Sequence, residues 1–185
     1  LNFLLTFKTL FSFHPIDATM SFGSPSPSTL LSSIAPYDCN VPQAGNDGIS
    51  SLSWSPTANI LVSGNWDSGI RCWEVQQQGP QQVAAQPKAQ VNHENSSPCL
   101  DTCFSADGST VFSGGADKAV RMWQLGQQVP NNVPQQIGVH DAPVKSVGFL
   151  PASNLVVSGG WDAKLKVRCE GKRCVCEVVS WSCIV

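Results

Sequence analysis

A segment of about 25 residues occurs three times in this chain and aligns without gaps. The copies run from Gly48 to Trp73 (GISSLSWSPTANILVSGNWDSGIRCW), from Pro98 to Trp123 (PCLDTCFSADGSTVFSGGADKAVRMW) and from Pro143 to Arg168 (PVKSVGFLPASNLVVSGGWDAKLKVR). They are offset by 50 and 45 residues. A unit of this size cannot bury its own apolar face, so copies must stack on one another. Each copy opens with an alternating strand that ends in an aromatic (Trp54, Phe104, Phe149). A short turn follows, then an apolar strand closing on Ser-Gly. A tight turn carrying Asp67, Asp117 or Asp162 leads into a third strand, which ends in Trp73 or Trp123 in the first two copies. Period-two alternation turns one strand face into the packing between units. Ser55-Pro56 and Ala106-Asp107-Gly108 mark turns. Gly64, Gly114 and Gly159 are expected to allow backbone bends that a Cβ would resist. The pattern predicts an all-β fold of four-stranded propeller blades, about three of them.

Composition narrows what such a fold can do. Net charge is −2 and charged residues make up 13% of the chain, so no broad field attracts nucleic acid or an anionic membrane. No Gly-rich phosphate loop, G-x-S-x-G elbow or metal-ligand set is found, and no catalytic residue, metal, cofactor or small-molecule substrate is expected. Cys39, Cys72, Cys99 and Cys103 read as small hydrophobes of a reduced, intracellular protein. Cys169, Cys174, Cys176 and Cys183 are spaced C-x4-C-x-C-x6-C, without the paired knuckles of a common zinc site.

The repeats resemble those of WD-repeat proteins. That resemblance implies a hydrogen-bonded set of His before the first strand, Ser or Thr in the second, Asp in the next turn and Trp in the third. The matching residues are His93, Ser113, Asp117 and Trp123 in the second copy, and His140, Ser158 and Asp162 in the third. The first copy has Ser63, Asp67 and Trp73, with no His in the expected place. His140 beside Asp141 invites a catalytic reading, but half-buried polar groups need partners, and the structural role is the stronger one.

The wording is closest to one branch of these proteins. The stretches STVFSGGADKAVRMW (Ser109 to Trp123), Gly64-Asn65-Trp66-Asp67, Arg71-Cys72-Trp73-Glu74-Val75, Pro87-Lys88-Ala89 with His93, and His140-Asp141-Ala142-Pro143 are similar to the messenger-RNA export factor family of the nuclear pore. The resemblance covers about Met20 to Lys166. It implies a seven-bladed ring, binding of a nucleoporin segment, a place in RNA export, and residence at the nucleus and nuclear pore complex with some cytoplasm. It also implies contact with single-stranded RNA or ribonucleoprotein, and a mitotic role with checkpoint or microtubule-associated proteins. The alternatives are the related spindle-checkpoint WD-repeat protein that binds checkpoint kinases, and a generic WD-repeat adaptor. Asp47-Gly48-Ile49-Ser50-Ser51 is shared with the checkpoint relative, whereas FSGGADKAVRMW and the two Trp-ending strands favour the export factor.

Arg71, Arg121 and Lys166 share one position in the third strand, and Lys118 and Lys164 lie near the adjoining turns. These five cations are the expected RNA-facing set. The Gln- and Pro-rich joints Gln76–Gln90 and Gly126–Val139 are expected to be solvated loop around short outer strands, Val83–Ala85 and Ile137–Val139. The blades are placed at residues 47–166, with repeats at about 47–75, 93–125 and 140–166. Residues 1–19 read as translated upstream sequence, with the start at Met20 and no segment long enough to span a bilayer. Residues 20–46 read as a disordered Ser/Pro-rich arm. From Val167 the text turns Cys-rich, Arg168 stands where an aromatic belongs, and residues 167–185 read as translated intron that cuts the third blade short.

Overall fold

A computed structural model of the chain describes residues 39–80, 82–169 and 175–179. The expectations for residues 1–19, for residues 20–38 of the arm, and for 170–174 and 180–185 of the tail lie outside the described residues. The described chain forms three antiparallel four-stranded sheets. The first holds β1 (Ile49–Trp54), β2 (Ile60–Asn65), β3 (Gly69–Gly79) and β4 (Gln82–Asn92), side by side in that order. The second holds β5 (Cys99–Phe104), β6 (Thr110–Gly115), β7 (Ala119–Gln124) and β8 (Gln135–Val139). The third holds β9 (Val144–Leu150), β10 (Leu155–Gly160), β11 (Lys164–Cys169) and β12 (Val175–Val179). The registers repeat: Ser63 faces Arg71, Ser113 faces Arg121 and Ser158 faces Lys166.

The apolar core lies between sheets. Val62, Ile70, Cys72 and Val91 of the first blade pack with Cys99, Phe104, Val111 and Trp123 of the second. Phe112 and Val120 of the second pack with Val144, Val147 and Val156 of the third. The ring of Phe149 stacks on Phe112 with centroids 5.6 Å apart. Polar links run beside this packing along the first strands. The Ser50 hydroxyl donates to the Cys99 carbonyl at 2.5 Å, and Asp101 accepts from the Val147 N–H at 2.8 Å. Each blade thus grips the next through its first strand.

Three expectations need correction. Gln76–Gln90 is not loop: β3 and β4 are eleven residues each and pair from Gly69↔Asn92 out to Gly79↔Gln82. An outer strand meets water on its far side, so glutamines suit it, and polarity does not signal a loop there. The third sheet does not stop at Lys166, because Val175–Val179 pairs with β11 from Arg168↔Val175 to Lys164↔Val179. Of the three repeated glycines, Gly64 and Gly114 serve space rather than bends, and Gly159 does not. A Cβ at Gly114 would lie 2.6 Å from Val144 Cγ1 of the next blade, while at Gly159 it would meet nothing within 4 Å.

Burial at one repeated position decides a test. Phe104 is 8% exposed between blades, whereas its counterpart Trp54 is 52% exposed. Phe104→Ala should lower unfolding free energy by about 3–5 kcal/mol, and Trp54→Ala by about 1 kcal/mol or less. Urea titrations of both variants check this, and equal losses would contradict packing between blades as the source of stability.

Candidate functional site

The turn joining the second and third strands of each blade is built the same way. Ser68, Lys118 and Ala163 occupy the same place in it, and all three have left-handed backbone, with φ of 72°, 66° and 59°. A non-glycine residue there is strained. The preceding Asp compensates: Asp67 accepts from the Gly69 N–H at 3.0 Å, Asp117 from Ala119 at 3.2 Å and Asp162 from Lys164 at 3.1 Å. Each carboxylate therefore holds its turn before it touches anything else.

In the second blade the His93 ring bridges Asp117 (Nδ1 to Oδ1, 3.1 Å) and Ser113 (Nε2 to Oγ, 3.0 Å). A carboxylate can only accept, so Nδ1 carries the hydrogen and Nε2 accepts from the Ser113 hydroxyl. The third blade repeats this with His140, Asp162 (3.0 Å) and Ser158 (2.9 Å). The glycine ending each second strand makes room for the ring. A Cβ at Gly115 would sit 2.5 Å from His93 Nδ1, and one at Gly160 2.6 Å from His140 Nδ1. In the first blade no His is present, and Asn65 stands where the others have this glycine. Its buried side chain accepts from the Ser63 hydroxyl at 2.6 Å and donates to the Ala44 carbonyl at 2.7 Å. The difference between SGN and SGG was the available sequence signal for this exchange.

Electrostatics follow from these contacts. Arg71 holds Asp67 below the usual carboxylate range, against the upward pull of burial. Burial pulls Asp117 upward, but His93, Arg121 and the Ala119 N–H together bring it below the usual range. Asp162 is likewise pulled up by burial, yet the Asp141 N–H, His140 and the Lys164 N–H bring it down to about 2. The Ser-His-Asp arrangement has the parts of a hydrolytic triad, but Ser113 and Ser158 are buried, so neither hydroxyl of these two sets can reach a substrate.

The tryptophans of the expected set do not join these chains of bonds. Trp73 Nε1 donates to the Pro42 carbonyl at 2.8 Å, and Trp123 is buried in the core between blades. The Trp123 ring fills the gap between the first two sheets, Trp73 is buried against the segment before the first blade, and Ser63 and Ser113 are already engaged elsewhere. At the equivalent position Arg168 is buried, donates to Ser158 Oγ at 2.6 Å and lies against Gly138 of β8. Its Nε has no partner among the described residues, and burial lowers its pKa.

Of the five cations expected to face RNA, four are turned to internal use. Arg71 makes two hydrogen bonds to Asp67, at 2.9 and 2.7 Å. Arg121 is buried, bonded to Asp117 at 2.9 Å and to the Pro134 carbonyl at 3.2 Å. Lys164 pairs with Asp141 at 2.7 Å, and Lys166 donates to the Val139 carbonyl at 3.1 Å. The reason is the turn: it folds the third strand back so that its cation meets the Asp or the neighbouring loop. Lys118 is exposed at the turn itself. Two tryptophans outside the expected set are also exposed there. Trp66 is 49% and Trp161 62% exposed, each directly before its turn Asp, with Ala116 between them in the second blade. Their backbone N–H groups donate to the Gly48 and Pro143 carbonyls, both at 2.9 Å, so both sit at the entry of a first strand.

Comparison with known proteins agrees with this construction. The family of the WD domain, G-beta repeat, matches residues 37–74, 86–124 and 132–168. The chain is 38% identical to Protein Rae1 of Drosophila melanogaster over 134 residues, which is 70% of this chain and 36% of that protein. It is 40% identical to the mRNA export factor of Bos taurus and 42% identical to that of Mus musculus, each over 120 residues, 63% of this chain and 30% of the relative. The chain thus spans about a third of the length of these relatives.

Two measurements follow. Gly115→Ala should cost about 1–3 kcal/mol by displacing the His93 ring, and much less in a His93→Ala background, because neighbours in one network are not additive. A double-mutant cycle in urea reads the coupling, and equal costs in both backgrounds would show that ring and glycine are independent. Asp162 has a lowered pKa in the folded chain, so its stabilisation is present above the ordinary value of 3.8 and is lost as pH falls toward about 2. Asp162→Asn should therefore melt lower than the parent near neutrality and flatten the loss of melting temperature across that window.

Proposed function

The chain belongs to the WD-repeat family, and from that premise we propose that it is a non-enzymatic docking scaffold of messenger-RNA export. The observation that carries this reading is identity of about 40% to mRNA export factors over 120 residues. The surface at the blade ends supports a binding role rather than a catalytic one. Trp66 and Trp161 offer exposed aromatic area at equivalent places on the first and third blades, with Lys118 on the blade between. Large exposed aromatics suit a partner that supplies apolar side chains. A nucleoporin segment is the partner the reading assigns, and the nucleus and its pores are the location that goes with it. RNA contact is a lesser part of the proposal, carried on these blades by Lys118 and by stacking on the tryptophans.

The test is direct binding of the chain to a nucleoporin segment, read by fluorescence anisotropy. The expected result is measurable affinity that falls about tenfold or more in the double variant Trp66→Ala, Trp161→Ala. Lys118→Gln should leave that affinity nearly intact and lower the salt slope for single-stranded RNA by about one. Absence of binding to the segment, or binding indifferent to both tryptophans, would sink the docking role assigned to this surface.

A further inference from the structure

The hairpin of β3 and β4 reaches past its own blade. β2 pairs with β3 only as far as Ile60↔Glu74, while β3 and β4 stay paired from Val75↔Ala85 to Gly79↔Gln82. The corresponding strands of the second blade are six and five residues long and make no such extension. Beyond Glu74 the hairpin is a two-stranded ribbon, and β4 is its outer strand. Alternate residues of an edge strand turn their N–H and C=O groups outward, a ready template for another strand. Proteins blunt such edges with charge or proline. On β4 both appear only at the base of the ribbon, as Pro87 and as Lys88, whose ammonium is paired with Glu74 at 2.5 Å, while Pro80 stands in the turn at the tip. From Val75 to Pro87 there is no charged residue.

The sequence of that edge has a local two-fold. Around Ala84, Gln82 mirrors Gln86 and Val83 mirrors Ala85. An antiparallel pair of two such strands would set Gln opposite Gln and Val opposite Ala, with Ala84 facing itself on the axis. Opposed glutamine amides can each donate and accept, and the small residues between them allow close approach. Gln82, Val83 and Gln86 are exposed and Ala84 and Ala85 half-buried, so the edge is open in a single chain.

We propose that this ribbon is a self-association edge, at which β4 of one chain pairs antiparallel with β4 of a second copy around Ala84. The occupant is a second copy because the stretch 82–87 carries no charge to repel itself and sets Gln82 opposite Gln86 with small or β-branched residues between them. The full chain should sediment as a concentration-dependent dimer at about 100 µM, as expected for a small interface. Ala84→Lys places two ammonium groups together on the axis and should return the chain to monomer with an unchanged circular dichroism spectrum. Ala84→Cys should give, under mild oxidation, a disulfide between the two introduced thiols, identified by peptide mass spectrometry. A monomer at that concentration would overturn the proposal. So would association that persists in Ala84→Lys, which would place the contact on another face, or crosslinking that passes only through the original cysteines.

Discussion

No blade of this chain can hold itself together. Each sheet is one residue thick, and its buried side chains touch the sheet beside it rather than a partner within it. Everything else depends on keeping adjacent sheets at packing distance. The first strands do this at one edge of the gap through Ser50, Asp101 and their acceptors, and Phe149 stacked on Phe112 does it in the middle. Apolar burial supplies the driving force, while the polar links fix how far one blade is rotated from the next. A repeat protein held this way gains stability with every interface, so its stability is a sum over gaps more than over blades.

Inside each blade the turn Asp has a comparable rank. It ties a strained turn, and in the second and third blades it also orients a histidine that reaches down to a strand serine. The network is buried and satisfied, which is the condition under which polar groups rigidify a core instead of weakening it. The first blade reaches the same end with different parts. Asn65 stands beside the place of the absent ring and engages Ser63, and Arg71 holds both oxygens of Asp67, including the Oδ1 that His93 holds on Asp117. Glycine and histidine are thus one unit spread over two elements, since the ring needs the space that a Cβ would fill.

Much of this was legible beforehand. The three repeats, their strand order and the Asp turns follow from spacing and residue type, and the His93 and His140 partners from the resemblance to WD-repeat proteins. What could not be read had physical causes. Glutamines in β4 imitate loop because an outer strand and a loop meet the same solvent. The cations seemed free because their carbonyl and carboxylate partners come near only once the turn has folded back. Arg168 is foreign to its position by residue type, and in the fold it takes the place of a tryptophan, with its Nε unpartnered among the described residues. Exposure of Trp66 and Trp161 was hidden, since nothing in their spacing separates them from the tryptophans that are buried.

The left-handed residue of the turn has an evolutionary corollary. Glycine would fit that backbone at least cost, yet Ser68, Lys118 and Ala163 stand there. The turn is over-determined by the aspartate beside it, so it accepts a polar, a charged and a small apolar side chain in three copies of one repeat. Such a position is released from folding duty and open to drift. Gene duplication then yields blades alike in skeleton but different at this one letter, which faces solvent as Lys118 and Ala163 and is buried as Ser68, so the same frame carries an independently variable character in each copy.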